Sequence, residues 1–266
     1  MLAGVGRIGR IGSSGTGGAG LVLEGFQSVW ATTTSPETVT IPCHNTGTFN
    51  AVIDWGDGTA NSTVTTFNDA DLAHEYATAG DHTIKITGDF PNIKFNNSGD
   101  KLKIKKVLNL GDVGWATLDR AFFGCSNLTH FTSGSTDTSA VTDMAVMFRG
   151  CDGLISLDVS SFNTSSTRTM QFMFRDCDAL TSIIGVKDFD ITGFNSTSSL
   201  TSFLTVGKMT TAQYDALLIN WEAQSVYSGL TASFGASTYT GGGAAAAARA
   251  ALIASDGWTI SDGGIA

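Results

Sequence analysis

Three cysteines, Cys125, Cys151 and Cys177, stand 26 residues apart, and the residues around them keep the same step. Leu118, Ala121, Phe122, Cys125, Leu128 and Phe131 recur as Met144, Met147, Phe148, Cys151, Leu154 and Leu157. They recur again as Met170, Met173, Phe174, Cys177, Leu180 and Ile183. A fixed period held over six apolar positions restricts this part of the chain to a stack of repeats, each covering the apolar face of the next. One repeat cannot stand alone. Burying six such side chains contributes on the order of 10 kcal/mol, whereas ordering the backbone costs roughly 1 kcal/mol or more per residue. Stacking offsets the difference, and the ends of the stack then need caps.

Within each rung the first four apolar positions fall at i, i+3, i+4 and i+7, the spacing of one helical face. Asp143 stands where a side-chain oxygen caps the second such helix, and Asp152-Gly153 ends it. Leu154, Leu157 and Val159 then read as a short strand. Each rung is therefore expected to be a helix followed by a strand. Leu200, Phe203 and Leu204 repeat the helical face once more after 30 residues, which implies a fourth, degenerate rung with a four-residue insertion near Val186 to Asn195. If Leu154, Leu157 and Val159 point inward, Ser156, Asp158 and Ser160 point outward. Their counterparts are His130 and Thr132 in the first rung and Ser182 and Ile184 in the third. This is a small polar surface without an aromatic platform, either a solvated face or a candidate ligand face for a sugar or a protein.

The rungs resemble the BspA-like leucine-rich-repeat surface proteins, whose M-x-x-M-F-x-x-C-x-x-L core is met at Met144–Leu154 and again at Met170–Leu180. The first copy departs, with Leu118 and Ala121 in place of both methionines, as a terminal repeat does. The resemblance covers roughly residues 97 to 208 and implies a solenoid.

In front of the repeats, residues 23–96 read as β-structure: Val39-Thr-Ile41, Ala51-Val-Ile-Asp-Trp55 and His82-Thr-Ile-Lys-Ile86. Trp55-Gly56-Asp57-Gly58-Thr59 is a tight glycine turn between strands, and His74-Glu75-Tyr76 precedes the next strand. Together these resemble a polycystic-kidney-disease (PKD) type domain, an immunoglobulin-like β-sandwich, which serves as a spacer or weak adhesion unit. Asp54 and Asp57 invite a calcium reading. The resemblance implies instead that the turn's aspartate holds the loop backbone, and that His74 is a hydrogen-bonding residue rather than a catalyst. The sandwich and the solenoid are each expected to own a core.

Residues 209–266 form a further unit. Thr210-Thr211 opens a helix whose Tyr214, Leu217, Leu218 and Trp221 share a face. Leu230, Ala232 and Phe234 alternate as a strand, Ala244–Ala254 is an alanine-rich helix, and Trp258-Thr-Ile260 closes as a strand. The segment resembles C-terminal modules that follow BspA-like repeats in bacteriophage-encoded proteins, which implies a capping module. At the other end, residues 1–22 hold eight glycines and two arginines before Gly25 and no acid. The alternatives are a flexible tail or an extended attachment arm, in which Arg7 and Arg10 pair with acids of a neighbour while Ile8 and Ile11 fill apolar pockets.

The overall expectation is a mainly β chain with α/β repeats: an immunoglobulin-like sandwich, a short leucine-rich-repeat-like solenoid and a C-terminal cap. Chemistry is not expected. GxSxG, HExxH, a Walker loop and paired CxxC are absent, and GVGRIG at Gly4–Gly9 follows no strand. No catalytic, cofactor or metal residues are assigned. The repeat cysteines fall on an apolar face and are expected as buried free thiols, a state suited to a reducing cytoplasm. A net charge of −9 argues against nucleic acid, and no apolar run is long enough to cross a bilayer.

Two function classes follow, besides an enzyme that carries binding modules. The first is a bacteriophage virion structural protein, a head decoration or cement protein or a tail-associated fibre. It would be made in the host cytoplasm without a signal peptide and join other virion proteins and copies of itself. The second is a BspA-like bacterial surface adhesin binding a host protein or glycan. The lack of a recognisable export signal and the phage-like C-terminus favour the first.

Overall fold

The computed structural model describes residues 25–266 and is mainly β. Apolar alternation drives the first layer. In β1 (Phe26–Thr32) Phe26, Ser28, Trp30 and Thr32 are buried while Gln27, Val29 and Ala31 face outward. β1 pairs antiparallel with β6 (Gly80–Asp89), which pairs with β3 (Asn50–Asp54), which in turn pairs with β4 (Ser62–Val64). Opposite lies a two-stranded sheet of β2 (Glu37–Thr40) and β5 (Ala73–Tyr76). Between them sit Trp30, Val39, Ile53, Trp55, Tyr76, Ile84 and Ile86, all essentially inaccessible.

The expected boundary between residues 96 and 97 is not a break. β7 (Ile104–Asn109) pairs antiparallel with β1 on one edge and parallel with β8 (His130–Phe131) on the other. The order β4-β3-β6-β1-β7-β8 is thus one sheet, with four strands from the front module and two from the repeat region. A parallel bridge from Thr132 to Asp158 carries it on to β9 (Ser156–Asp158) and β10 (Ser182–Ile184). The buried apolar side chains likewise form one contiguous core from Phe26 to Trp258 rather than separate cores.

The helix expected in each rung does not form. Residues 118–125, 144–151 and 170–177 are successive turns, and Arg120, Val146 and Phe172 have φ of 56°, 61° and 59°. A residue with positive φ cannot continue a right-handed helix. Every second N–H points instead to the next rung: Leu118 to the Asp143 carbonyl, Arg120 to Ala145, Phe122 to Met147, and then Met144 to Thr169, Val146 to Gln171 and Phe148 to Met173. The four apolar positions are nonetheless fully buried, because turns closed by i→i+3 bonds such as Cys151 N to Phe148 O leave every third or fourth side chain inward. Asp143 does cap, but it caps a turn: its Oδ1 accepts from Ala145 N at 2.8 Å. Thr117, Thr169 and Ser199 make the same two-residue bond in their rungs. This use of short polar side chains at corners accounts for the Ser and Thr content.

The fourth rung follows the same rule. The rung step lengthens from 26 to 30 residues between Asp143↔Thr169 and Thr169↔Ser199. The extra residues make a 3-10 turn at Val186–Asp188. The segment read as a helical face is a strand, β11 (Leu200–Leu204), bridged to the turn ladder through Phe174 and Leu204. β11, β12 (Thr231–Phe234) and β13 (Thr259–Ser261) form a parallel sheet that extends the turn ladder. α1 (Thr211–Glu222) lies next to β10, opened by a Thr210/Gln213 capping box, and α2 (Ala244–Ala254) packs on α1. Both helices stand where the expected pattern places them.

Candidate functional site

The structure places the candidate ligand residues together on one outward sheet face. Across β9 and β10, Ser156 pairs with Ser182 and Asp158 with Ile184, with Leu157 and Ile183 buried between them. Thr132 bridges to Asp158. His130, Ser156, Ser160 and Ile184 are exposed, and Thr132, Asp158 and Ser182 half-buried. Asp158 is partly committed, its Oδ1 accepting from Ser160 N at 2.9 Å. Ser182 Oγ accepts from Gln213 Nε2 at 2.8 Å, which fixes the face against α1. There a cavity of 220 Å³ opens, lined by Ile183, Ile184, Gly185, Val186, Lys187 and Gln213. Gly185, at φ 90°, lets the chain turn this close: a Cβ there would collide with the backbone of Ser160.

Sequence reasoning confined this face to three rungs; the sheet extends it. Lys106 of β7 pairs with His130, and Val29 of β1 pairs with both Lys106 and Thr83. One row therefore runs Thr83, Val29, Lys106, His130, Ser156, Ser182. A parallel row begins Asp54, Lys85, Gln27 and resumes at Thr132, Asp158, Ile184. The missed signal is the outward alternation of Gln27, Val29 and Ala31, which tells which face β1 shares but not which strand lies beside it.

The WGDGT turn is an internally bonded structure. Asp54 Oδ1 accepts from Gly56 N at 3.0 Å, and Asp57 Oδ1 accepts from Thr59 N and Oγ1 at 3.1 and 2.6 Å. Asp57 Oδ2 meets His74 Nε2 at 2.7 Å. Desolvation opposes the Asp57 charge, but the bonds from Thr59 and His74 outweigh it and hold its pKa at about 2. His74 stacks on Trp55 with centroids 4.9 Å apart, and Tyr76 donates its hydroxyl to the Trp55 carbonyl at 2.8 Å. Gly56 has φ 75° with its α-carbon against the Thr83 carbonyl, so only glycine fits. The carboxylates here have the loop as their partner.

Cys125, Cys151 and Cys177 are buried free thiols in one column. Cys151 Sγ donates to Phe122 O at 3.2 Å and Cys177 Sγ to Phe148 O at 3.0 Å. Burial raises all three, Cys177 to about 12, which keeps them protonated. Among the described residues no group of three His, Cys, Asp or Glu is placed to hold a metal.

On the turn ladder, an open cleft of 330 Å³ is lined by Asn97, Lys101, Phe123, Arg149, Asp152 and Asp176 among others. Within it Arg149 sits 5.2 Å over the Phe123 ring and bonds Asp176 at 3.0 Å. Arg7, Ile8, Arg10 and Ile11 of the expected arm lie outside the described residues. No helix among the described residues is long and apolar enough to cross a membrane.

A family model described as "Mycoplasma protein of unknown function, DUF285" matches residues 116–238, from the first rung to the end of the β12 unit. No curated protein and no solved structure matches the chain.

Proposed function

We propose that this chain is a non-catalytic structural and recognition component of a bacteriophage particle. It would be a head decoration or a tail-associated appendage, joined to the particle by residues 1–22, with its folded part turned outward. In this reading the front module is a PKD-type, immunoglobulin-like sandwich. The rungs are a BspA-like solenoid, and residues 209–266 are its cap. The observation that carries the reading is the single buried core from Phe26 to Trp258, with a six-stranded sheet that runs from the front module into the first rung. Such a body holds a broad face rigidly, as display demands, and its conspicuous polar motif is occupied in holding its own loop. The column of reduced, buried thiols fits folding in a cytoplasm.

A second reading is a bacterial surface adhesin; residues 116–238 match a family of unknown function described from Mycoplasma. Immunogold labelling separates the two. Antibody raised to the purified chain is expected to decorate phage particles in a lysate of the source culture. Label confined to cell surfaces in uninfected culture would overturn the virion reading. Deleting residues 1–20 should leave a soluble, folded chain that no longer joins the particle. Normal occupancy of the truncated chain would place attachment elsewhere.

A further inference from the structure

We infer that the cleft between the β2–β3 loop and the loop after β4 binds a neutral saccharide. One sugar ring lies on Phe67, and the amides of Asn45 and Asn68 bond its hydroxyls. The inference rests on the recognition role proposed above and gives it a site and a ligand class.

The open cleft has a volume of 270 Å³, with Asn45, Thr48 and Phe49 on one wall and Thr66, Phe67 and Asn68 on the other. It is smaller than the roughly 300–1,000 Å³ of pockets that enclose a whole drug-sized ligand, so it takes the end of a sugar chain rather than its length. Of the sixteen phenylalanines, Phe67 is the one left exposed, at 36%. Asn45 and Asn68 are exposed too, and neither amide has a hydrogen-bond partner among the described residues.

Both walls are held from behind. Asn92, fully buried, accepts from His44 N at 2.8 Å and donates to the His44 and Thr46 carbonyls at 3.0 and 2.7 Å. Gly47, at φ 80°, lets the loop lie on Pro91, and Phe49 meets Phe90 edge-on at 5.5 Å. Across the cleft, Asp69 Oδ2 accepts from Thr65 N at 3.0 Å and Oδ1 from Asp71 N at 3.2 Å, closing the loop that carries Phe67 and Asn68. The binding groups are thus set in place before a ligand arrives, which lowers the entropy lost on binding.

The side chains select the ligand. A pyranose presents C–H groups on its faces, polarised by the attached oxygens, and these settle against the negative face of an aromatic ring. Its hydroxyls both donate and accept, as a side-chain amide does. No charged residue lines the cleft, and the titratable groups of the flanking loops, His44 and Asp69, bond Thr46 and Thr65. An acidic sugar finds no cation here, and a net charge of −9 repels it. A peptide is poorly served: β4 is the sheet edge but has three residues, a short template for an added strand. Phe67 offers an open ring face rather than a pocket for an anchoring side chain.

The test is saturation-transfer NMR on the full-length chain with maltohexaose, cellohexaose, mannohexaose and chitohexaose, and with hexagalacturonate and denatured casein as comparison probes. At least one neutral hexasaccharide should bind, with transfer strongest at the C–H protons of one terminal ring. Added salt should leave that binding unchanged, and hexagalacturonate should give no signal. Phe67→Ala, at an exposed loop position, should melt as the parent does yet bind at least about tenfold more weakly, while Phe67→Tyr keeps binding. Equal binding by parent and Phe67→Ala, or no binding of any neutral hexasaccharide, overturns the site. Binding of hexagalacturonate in their place overturns the neutral class, and Phe67-dependent binding of casein alone overturns it in favour of a peptide. Particle labelling is independent of these results: labelled particles with no saccharide binding sink only this inference, whereas binding without particle label sinks only the assignment to the virion.

Discussion

Phe148 sits at the centre of an aromatic column that threads the molecule. Its ring stacks on Phe122 at 5.7 Å and on Phe174 at 5.5 Å, and meets Phe131 edge-on at 4.7 Å. The column continues to Phe95 and Trp30 on one side and to Phe203 and Phe234 on the other. Phe148→Ala therefore opens a cavity between two rungs that cannot collapse without breaking their ladder. It should cost about 3–5 kcal/mol in denaturant unfolding; an unchanged midpoint would mean the rungs do not stack as described. Ser202 is the opposite case. It holds φ 52° at the place where Arg120, Val146 and Phe172 hold theirs, and it is only half-buried. Glycine adopts that conformation without strain, so Ser202→Gly should stabilise the chain by about 0.5–1 kcal/mol, net of the added freedom of the unfolded state. A drop in melting temperature would show that the serine side chain does something further.

At the scale of the element, the C-terminal unit depends on one carboxylate. Asp262, beside β13, accepts from Tyr214 Oη of α1 at 2.6 Å and from Arg249 Nε of α2 at 2.7 Å, and its side chain is 3% exposed. It ties together three elements that share few other polar contacts. Desolvation raises its pKa, but the bonds from Arg249 and Tyr214 outweigh this and leave it below the usual carboxylate range. Since the folded value lies under the unfolded one of about 3.9, the stabilisation is present in full above about pH 4. It is lost as pH falls through the folded value. Asp262→Asn should cost about 2–3 kcal/mol at neutral pH and speed hydrogen exchange in α2 and β13 ahead of the rungs. It should also flatten the acid limb of the stability profile. Uniform exchange along the chain would refute the local role.

At the scale of the whole molecule, the shared sheet has a thermodynamic consequence. β7 pairs with β1 and with β8 at once, and the core has no seam at residues 96–97. The front module, the rungs and the cap should unfold together. Scanning calorimetry should give a single endotherm whose calorimetric and van't Hoff enthalpies agree. Two resolved endotherms would mean that the β1–β7 junction is energetically slack. A chain cut at 96/97 should leave both fragments with exposed apolar sheet edges and a tendency to aggregate.

Much of this was legible in the residues themselves. The 26-residue step determined which side chains are buried, because the period of burial survives whatever backbone carries it: Leu118, Met147 and Cys177 are inward in turns as they would be in helices. The Thr210/Gln213 box and the alternation at Leu230–Phe234 likewise determined their elements locally. The rung backbone was decided by the tertiary structure. A helix satisfies its N–H groups within itself, whereas here each rung finds carbonyls on its neighbour, and spacing of apolar residues carries no record of where the hydrogen bonds go. The same holds for the candidate face. Ser156, Asp158 and Ser182 were visible as outward residues of their own strands. Lys106, Val29 and Lys85 join them only because β1 and β7 pair, a contact between residues nearly 80 positions apart whose loop-closure cost is offset by the common core and not by any local signal.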